Sequence, residues 1–233
     1  MALSLKDVTV KRRGKTILGP VTLDLAASGL TIVLGPNGSG KTTLLKVLHG
    51  VERISGGTLN CSIPEVEARQ SQAYVFQSPI MLRRSVAQNL AYPLQLAGIA
   101  KPQIAARVSD WAARIGLTAA LERPATRLSG GEKQKLAVGR ALIRQPKVLF
   151  LDEPCANLDG RSTREIEALL LAASQSGTRI IMTTHDLGQG RRLASEVLFL
   201  LNGQVHERQL AADFFANPTR PETAAFLKGD IVE

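Results

Sequence analysis

Cysteine, aromatic rings and long apolar runs are all scarce in this chain. Two cysteines, Cys61 and Cys155, among 233 residues give neither a disulfide framework nor the spacing of a zinc site. Aromatic residues make up 4%, which leaves few rings on which nucleic-acid bases could stack. No apolar run approaches the ~18 residues that a membrane-spanning helix takes; the longest, such as Val197–Leu201, are strand-sized. The N-terminus, Met1-Ala2-Leu3-Ser4-Leu5-Lys6-Asp7, alternates and turns charged at once, without the apolar core of a secretory signal. The expectation is a soluble cytoplasmic chain.

What is present is enough apolar side chain for a sizeable core, 44% of residues, and an excess of positive charge. Twenty-nine Lys and Arg against 20 Asp and Glu give a net +9, which suits an acidic partner: a nucleotide, a nucleic acid or an anionic membrane surface. Only Lys11-Arg12-Arg13 with Lys15 forms a tight basic run, so charge alone does not choose among them. No repeat, low-complexity tract or linker divides the chain, and residues 1–233 read as one domain.

Apolar patterning predicts strands through Leu3–Val10 and Ile17–Leu25, then a short apolar run, Leu30–Leu34, of the kind buried on both faces of a parallel sheet. A helix over 42–49 follows, closed by Gly50. Ile104, Val108, Trp111, Ala112 and Ile115 recur at helical spacing, and residues 85–145 read as mostly helical. Strands then alternate with helices: Lys147–Leu151, a helix through Ile166–Ala173, Arg179–Thr183, a helix over Asp186–Ala194, and a hairpin turning at Asn202-Gly203. This order gives an α/β class with a helical insertion.

The sharpest motif is Gly35-Pro36-Asn37-Gly38-Ser39-Gly40-Lys41-Thr42, which has the spacing of a phosphate-binding P-loop. Its glycines let successive backbone N–H groups curl around phosphate oxygens, and the following helix adds its positive N-terminus. Lys41 can reach the terminal phosphates, and the Thr42 hydroxyl suits Mg²⁺; Thr43 is grouped with the phosphate-binding residues. A second motif, Lys147–Glu153, is a hydrophobic strand ending in two carboxylates. Asp152 would hold Mg²⁺ and Glu153 would orient and deprotonate a water. Adjacent strand residues point to opposite faces, so both carboxylates can serve one site only where the strand ends and the chain turns. The third motif, Leu128-Ser129-Gly130-Gly131-Glu132, opens a helix expected to run to Arg144. It forms a second anion cradle. One nucleotide has one terminal phosphate, so two cradles suggest that each chain completes another's site.

These motifs, in this order and across the whole chain, resemble those of ABC-type ATPase subunits, whose signature is LSGGQ; here Glu132 stands in place of the glutamine. The resemblance implies an ABC ATPase fold: a RecA-like P-loop core with an N-terminal antiparallel β subdomain (1–84 and 146–233) and an inserted helical subdomain (85–145). It implies ATP and Mg²⁺ as ligands, and a head-to-tail homodimer with two ATP molecules between the subunits, Ser129, Gly130 and Gly131 touching the partner's γ-phosphate. Gln77 resembles the Q-loop glutamine that meets Mg²⁺ and the water, Asp159 the D-loop aspartate at the subunit contact, and His185 the switch histidine. Where the family usually places an adenine-stacking aromatic, this sequence has Arg13, whose guanidinium plane is the candidate to stack on the base, with Leu18 as apolar neighbour. A separate membrane permease at the cytoplasmic face, and indirectly a solute-binding protein, are the implied partners, with no nucleic acid. The tail from Phe215 to Leu227 resembles small-solute importers, and the chain as a whole resembles subunits serving oxyanions, tungstate ahead of phosphate. Amino-acid import, an export role, and a soluble ABC ATPase acting on nucleic acid or ribosomes stay open.

Overall fold

A computed structural model describes residues 1–232. Its first part contains β1 (Leu3–Arg12), β2 (Lys15–Leu25), β3 (Leu30–Leu34), α1 (Lys41–His49), β4 (Gly56–Cys61), α2 (Glu65–Gln70) and β5 (Gln72–Val75). A helical stretch follows, with α3 (Val86–Leu96), α4 (Lys101–Arg114) and α5 (Gly130–Leu142). Then come β6 (Val148–Asp152), α6 (Gly160–Gln175), β7 (Arg179–Thr183), α7 (Leu187–Leu193), β8 (Glu196–Leu201) and β9 (Gln204–Leu210). Two short helices, α8 (Ala211–Ala216) and α9 (Pro221–Lys228), end it. Among the described residues no helix is long and apolar enough to cross a membrane.

Two sheets form. β2, β1 and β4 make an antiparallel sheet, and β5-β6-β7-β3-β8-β9 a larger one, parallel except where β9 returns beside β8. The centre of the larger sheet is buried on both faces, as its largely apolar strands require. Side chains alternate faithfully. Val33, Val148, Phe150, Ile181, Leu198 and Leu200 pack towards α1 and the small sheet. Their neighbours Ile32, Leu34, Leu149, Leu151, Ile180 and Met182 pack on the other face with Val138 of α5 and Ile166 and Leu170 of α6. A third apolar cluster lies within residues 86–143, built by Leu90 and Leu94 of α3, Ile104 and Val108 of α4, and Leu136 of α5.

Three differences from the sequence reading have local causes. The helix expected to reach Arg144 ends at Leu142, and Gln145 takes a left-handed φ of 54° ahead of Pro146, which disfavours a helical residue before it. β4, of sequence Gly-Gly-Thr-Leu-Asn-Cys, is half exposed on a sheet edge and carries no apolar alternation. Helices α2 and α8 are six residues each, too short to show a helical period.

Gly35 is where the core sets the exit path of β3. Its φ is +148°, and a Cβ there would press into the carbonyl oxygen of Leu200 on the neighbouring strand and lie 2.8 Å from Ser39 Oγ. Gly35→Ala is therefore expected to lose about 2 kcal/mol or more of stability, read as a lower urea midpoint. An unchanged midpoint would contradict this packing.

Candidate functional site

The loop from Gly35 to Gly40 leads from the buried end of β3 to the start of α1, capped by Gly40 in a left-handed conformation. No side chain caps this helix and its first turn holds no acidic residue, so its leading N–H groups are left for an external acceptor. Lys41 is 6% exposed. Its Nζ donates to the carbonyl oxygens of Gly35 (2.8 Å) and Pro36 (2.9 Å). Burial pushes its pKa down, opposed by the carboxylates of Glu153 and Asp152. Ser39 Oγ is buried with no hydrogen-bond partner. A buried ammonium, an orphaned hydroxyl and free helix N–H groups together fit a polyphosphate.

Asp152 ends β6 and is nearly buried. Its Oδ1 accepts from Thr42 Oγ1 and from Thr183 Oγ1, each at 2.9 Å, while the Tyr74 hydroxyl lies 3.4 Å from Oδ2. Burial and then Asp152 push the Tyr74 phenol up, keeping it neutral. Glu153, the next residue, adopts a left-handed φ of 45°. Its N–H donates to Thr183 Oγ1 (2.9 Å) and Thr183 O (3.2 Å). This turn carries both carboxylates to one site. Gln77 Nε2 and His185 Nδ1 each lie 3.2 Å from Glu153 Oε2.

The resulting cavity, about 720 Å³, is walled by Gly35, Pro36, Asn37, Gly38, Gly40, Lys41, Thr42 and Thr43 of the loop and α1, and by Gln77, Glu153, Asn157 and His185, with Ile17 and Phe226 as apolar sides. Among the described residues no three His, Cys, Asp or Glu side chains cluster as a metal cage. Thr42 and Asp152 instead offer two hard oxygens, a set suited to Mg²⁺, which keeps water and borrows phosphate oxygens. Burial raises the Cys155 thiol to about 11, so this neighbour of Glu153 stays protonated and is no nucleophile.

The second cradle stands apart; Ser129, Gly130 and Gly131 do not line this cavity. Ser129 caps α5 by a capping box: its Oγ accepts from Glu132 N (3.3 Å) and its N–H donates to Glu132 Oε2 (2.8 Å). That backbone bond, with Arg123 3.6 Å away, holds the Glu132 carboxyl low. Asp159 caps α6 through Ser162 N (2.8 Å), which lowers its pKa. Ser162 in turn abuts Gly131, where a Cβ would come within 2.6 Å of its Oγ; the space around Gly130 is open. The signature and the Asp159 loop thus form one corner.

Two residues expected to contact a base do not line this cavity. Leu18 is fully buried in the core, its Cδ1 beneath Gly40; strand alternation in β2 sends the adjacent Ile17 into the cavity wall instead. Arg13 occupies the exposed β1–β2 turn with φ 49° and does not line the cavity. The sequence reading missed Thr183, Tyr74, Asn157, Ile17 and Phe226. Thr183 had one signal, a hydroxyl closing an apolar strand two residues before His185.

The family model described as ABC transporter matches residues 18–156. A tungstate uptake system ATP-binding protein, TupC, of Peptoclostridium acidaminophilum is 34% identical over 209 residues, covering 89% of this chain and 98% of that protein. A methionine import ATP-binding protein, MetN, of Cereibacter sphaeroides is 34% identical over 223 residues, covering 91% of this chain but 63% of the relative. The chain thus spans nearly all of the first relative and under two thirds of the second. Among solved structures, cbiO1 of Clostridium perfringens, part of the ABC transporter complex cbiONQ, superposes with a TM-score of 0.83 at 28% identity, covering 92% of this chain and 90% of that one. The ATP-binding cassette MJ0796, in a dimeric structure bound to ADP and Pi, shares the fold at a TM-score of 0.80 and 23% identity, covering 90% and 98%. The α/β core with its parallel sheet is the P-loop ABC ATPase fold, and this chain belongs to the ABC transporter family.

Proposed function

We propose that this chain binds and hydrolyses ATP as the energy-coupling subunit of an importer, working on the cytoplasmic face of the membrane with a separate permease. The observation that carries the reading is the shared carboxylate: Glu153 Oε2 meets Gln77 and His185 at 3.2 Å each in the same cavity as Lys41 and Thr42. Glu153 acts as the base for a water that attacks the γ-phosphorus; the proton passes to its carboxylate, and the bond to the β–γ bridging oxygen breaks. Lys41 leaves the Gly35 and Pro36 carbonyls to neutralise phosphate oxygens, and His185 and Gln77 orient the water and the terminal phosphate. Thr42, Asp152 and Gln77 would hold Mg²⁺, which would supply charge neutralisation for the phosphates.

Ser129, Gly130 and Gly131 complete a second chain's site in a head-to-tail homodimer with two ATP molecules between the subunits, and Asp159 lies at the contact. The separation of this cradle from the chain's own cavity supports that arrangement, as does the dimeric MJ0796 cassette. Arg13 is retained as a candidate base contact reached by the exposed β1–β2 turn. For cargo, an oxyanion of the tungstate type is favoured because the tungstate relative matches this chain over nearly its full length. Relatives named for methionine, sn-glycerol-3-phosphate and Fe(3+) import at 32–34% identity keep other small solutes in view.

Glu153→Gln is expected to bind ATP while turnover falls roughly 10²–10⁴-fold; near-normal turnover in a phosphate-release assay would remove Glu153 from the role of base. Thr183→Val, which keeps shape but deletes the hydroxyl joining Asp152 to the Glu153 backbone, is expected to cost about 1–3 kcal/mol and to raise the Mg²⁺ concentration needed for half-maximal hydrolysis. A magnesium titration unchanged from wild type would refute that link. Mixing Ser129→Arg with Lys41→Ala chains should restore one intact composite site, giving hydrolysis that neither variant has alone. No recovery in the mixture would count against sharing between subunits.

A further inference from the structure

One wall of the phosphate-loop cavity comes from the far end of the chain. Phe226 of α9 lines it, the one benzene ring among the lining residues, and no step described above uses it. The two apolar walls approach from opposite sides of the larger sheet. Ile17 belongs to β2, whose core residues Leu18 and Leu23 pack with Leu44 and Leu45 of α1. Phe226 packs with Leu34, Phe199 and Leu201 on the other face, where Leu187 at the start of α7 also packs. His185 stands two residues before Leu187, so Phe226 meets the cavity from the face that carries the His185 end.

That end is sparsely held. The His185 side chain is 63% exposed, and its ring contact is Nδ1 to Glu153 Oε2 at 3.2 Å. An attacking water there has Glu153, Gln77 and His185 to orient it, and bulk water to compete with them. A hydrocarbon wall offers a water no hydrogen bond, so it narrows the orientations left to those three groups.

The placement of Phe226 is itself fixed. Its ring centre lies 5.0 Å from that of Phe199 in β8. Two neighbouring residues of β9 grip the start of α9. His206 Nε2 lies 2.9 Å from Glu222 Oε2. The buried Glu207 carboxylate accepts from Thr219 N (2.7 Å), Thr219 Oγ1 (2.8 Å) and Arg220 N (3.3 Å). The same strand pair braces the phosphate loop, since Gly203 N in the β8–β9 turn donates to Ser39 O (3.1 Å). One hairpin thus holds the loop at its tip and the ring through its outer strand.

We propose that Phe226 is a positioning residue for hydrolysis, an apolar wall that α9 sets beside the water-activating end of the cavity. This rests on the ATPase reading and adds to it a part for the C-terminal helix. The test is phosphate release by the whole chain over a range of Mg-ATP concentrations, with urea midpoints measured alongside. Phe226→Ala is expected to lower kcat roughly 10–10²-fold while KM stays within about threefold, the pattern of an interaction that matters in the transition state. Phe226→Leu keeps an apolar wall and should hold kcat within about fivefold of wild type. Leu227→Ala is the control for loosening α9: Leu227 is half-buried in the same cluster but does not line the cavity. It should lower the urea midpoint as Phe226→Ala does, with kcat within about threefold of wild type. Wild-type protein that releases no phosphate would overturn the ATPase reading and this inference with it. Given wild-type turnover, the inference alone is overturned by an unchanged kcat in Phe226→Ala, by a loss carried in KM, by an equal loss in Leu227→Ala, or by no rescue in Phe226→Leu.

Discussion

The register of three parallel strands governs this molecule. β7 lies between β3 and β6, with Val33 beside Thr183 and Thr183 beside Asp152. The three chains therefore leave the sheet at one level, and each exit delivers a different tool: the phosphate loop after β3, the carboxylate pair after β6, and His185 after β7. In parallel α/β sheets ligands bind beyond the carboxyl ends of the strands, and here the alignment of those ends does most of the assembly. A one-residue slip of β6 would exchange the faces of Asp152 and Glu153 and bury the wrong one.

Electrostatics follow from that geometry. Lys41 and Asp152 are both nearly buried, a cost that isolated charges would not bear. Lys41 is held by backbone carbonyls, and Asp152 accepts from two hydroxyls that touch other parts of the site. The Thr183 hydroxyl is the pivot, donating to Asp152 while accepting from the Glu153 N–H. The left-handed turn at Glu153 is one that a non-glycine residue adopts only at a cost of about 1–3 kcal/mol; here a bifurcated hydrogen bond from its N–H to Thr183 O and Oγ1 offsets it.

How much was legible beforehand depended on length and periodicity. β3, β6, β7 and β8 are dominated by apolar residues, and the site-forming ends of the first two are marked by glycines or carboxylates. The limits of β7 and the turn at Asn202-Gly203 agree with the expected residues. β4 was hidden because an edge strand has little to bury, and α8 because six residues span under two turns. Leu18 was misplaced for a different reason. The expected apolar wall was one residue off along β2, and alternation turned that offset into burial on the opposite face. Thr183 could not be assigned from the sequence, because its task depends on strand order, and β6 pairing with β7 is a fact of the sheet.

The two glycines of the signature face unequal demands. Gly131 is closed in by Ser162 of this same chain, so a side chain there would disturb the corner between α5 and α6. Gly130 has open space where a Cβ would go, and its backbone is not left-handed. Within one subunit nothing forbids an alanine at 130. Substitution at 131 therefore registers as a folding defect visible in the isolated chain, while any intolerance at 130 is felt only when another surface closes over it. A side-by-side tolerance profile of these neighbouring positions separates self-imposed packing from the demands of assembly.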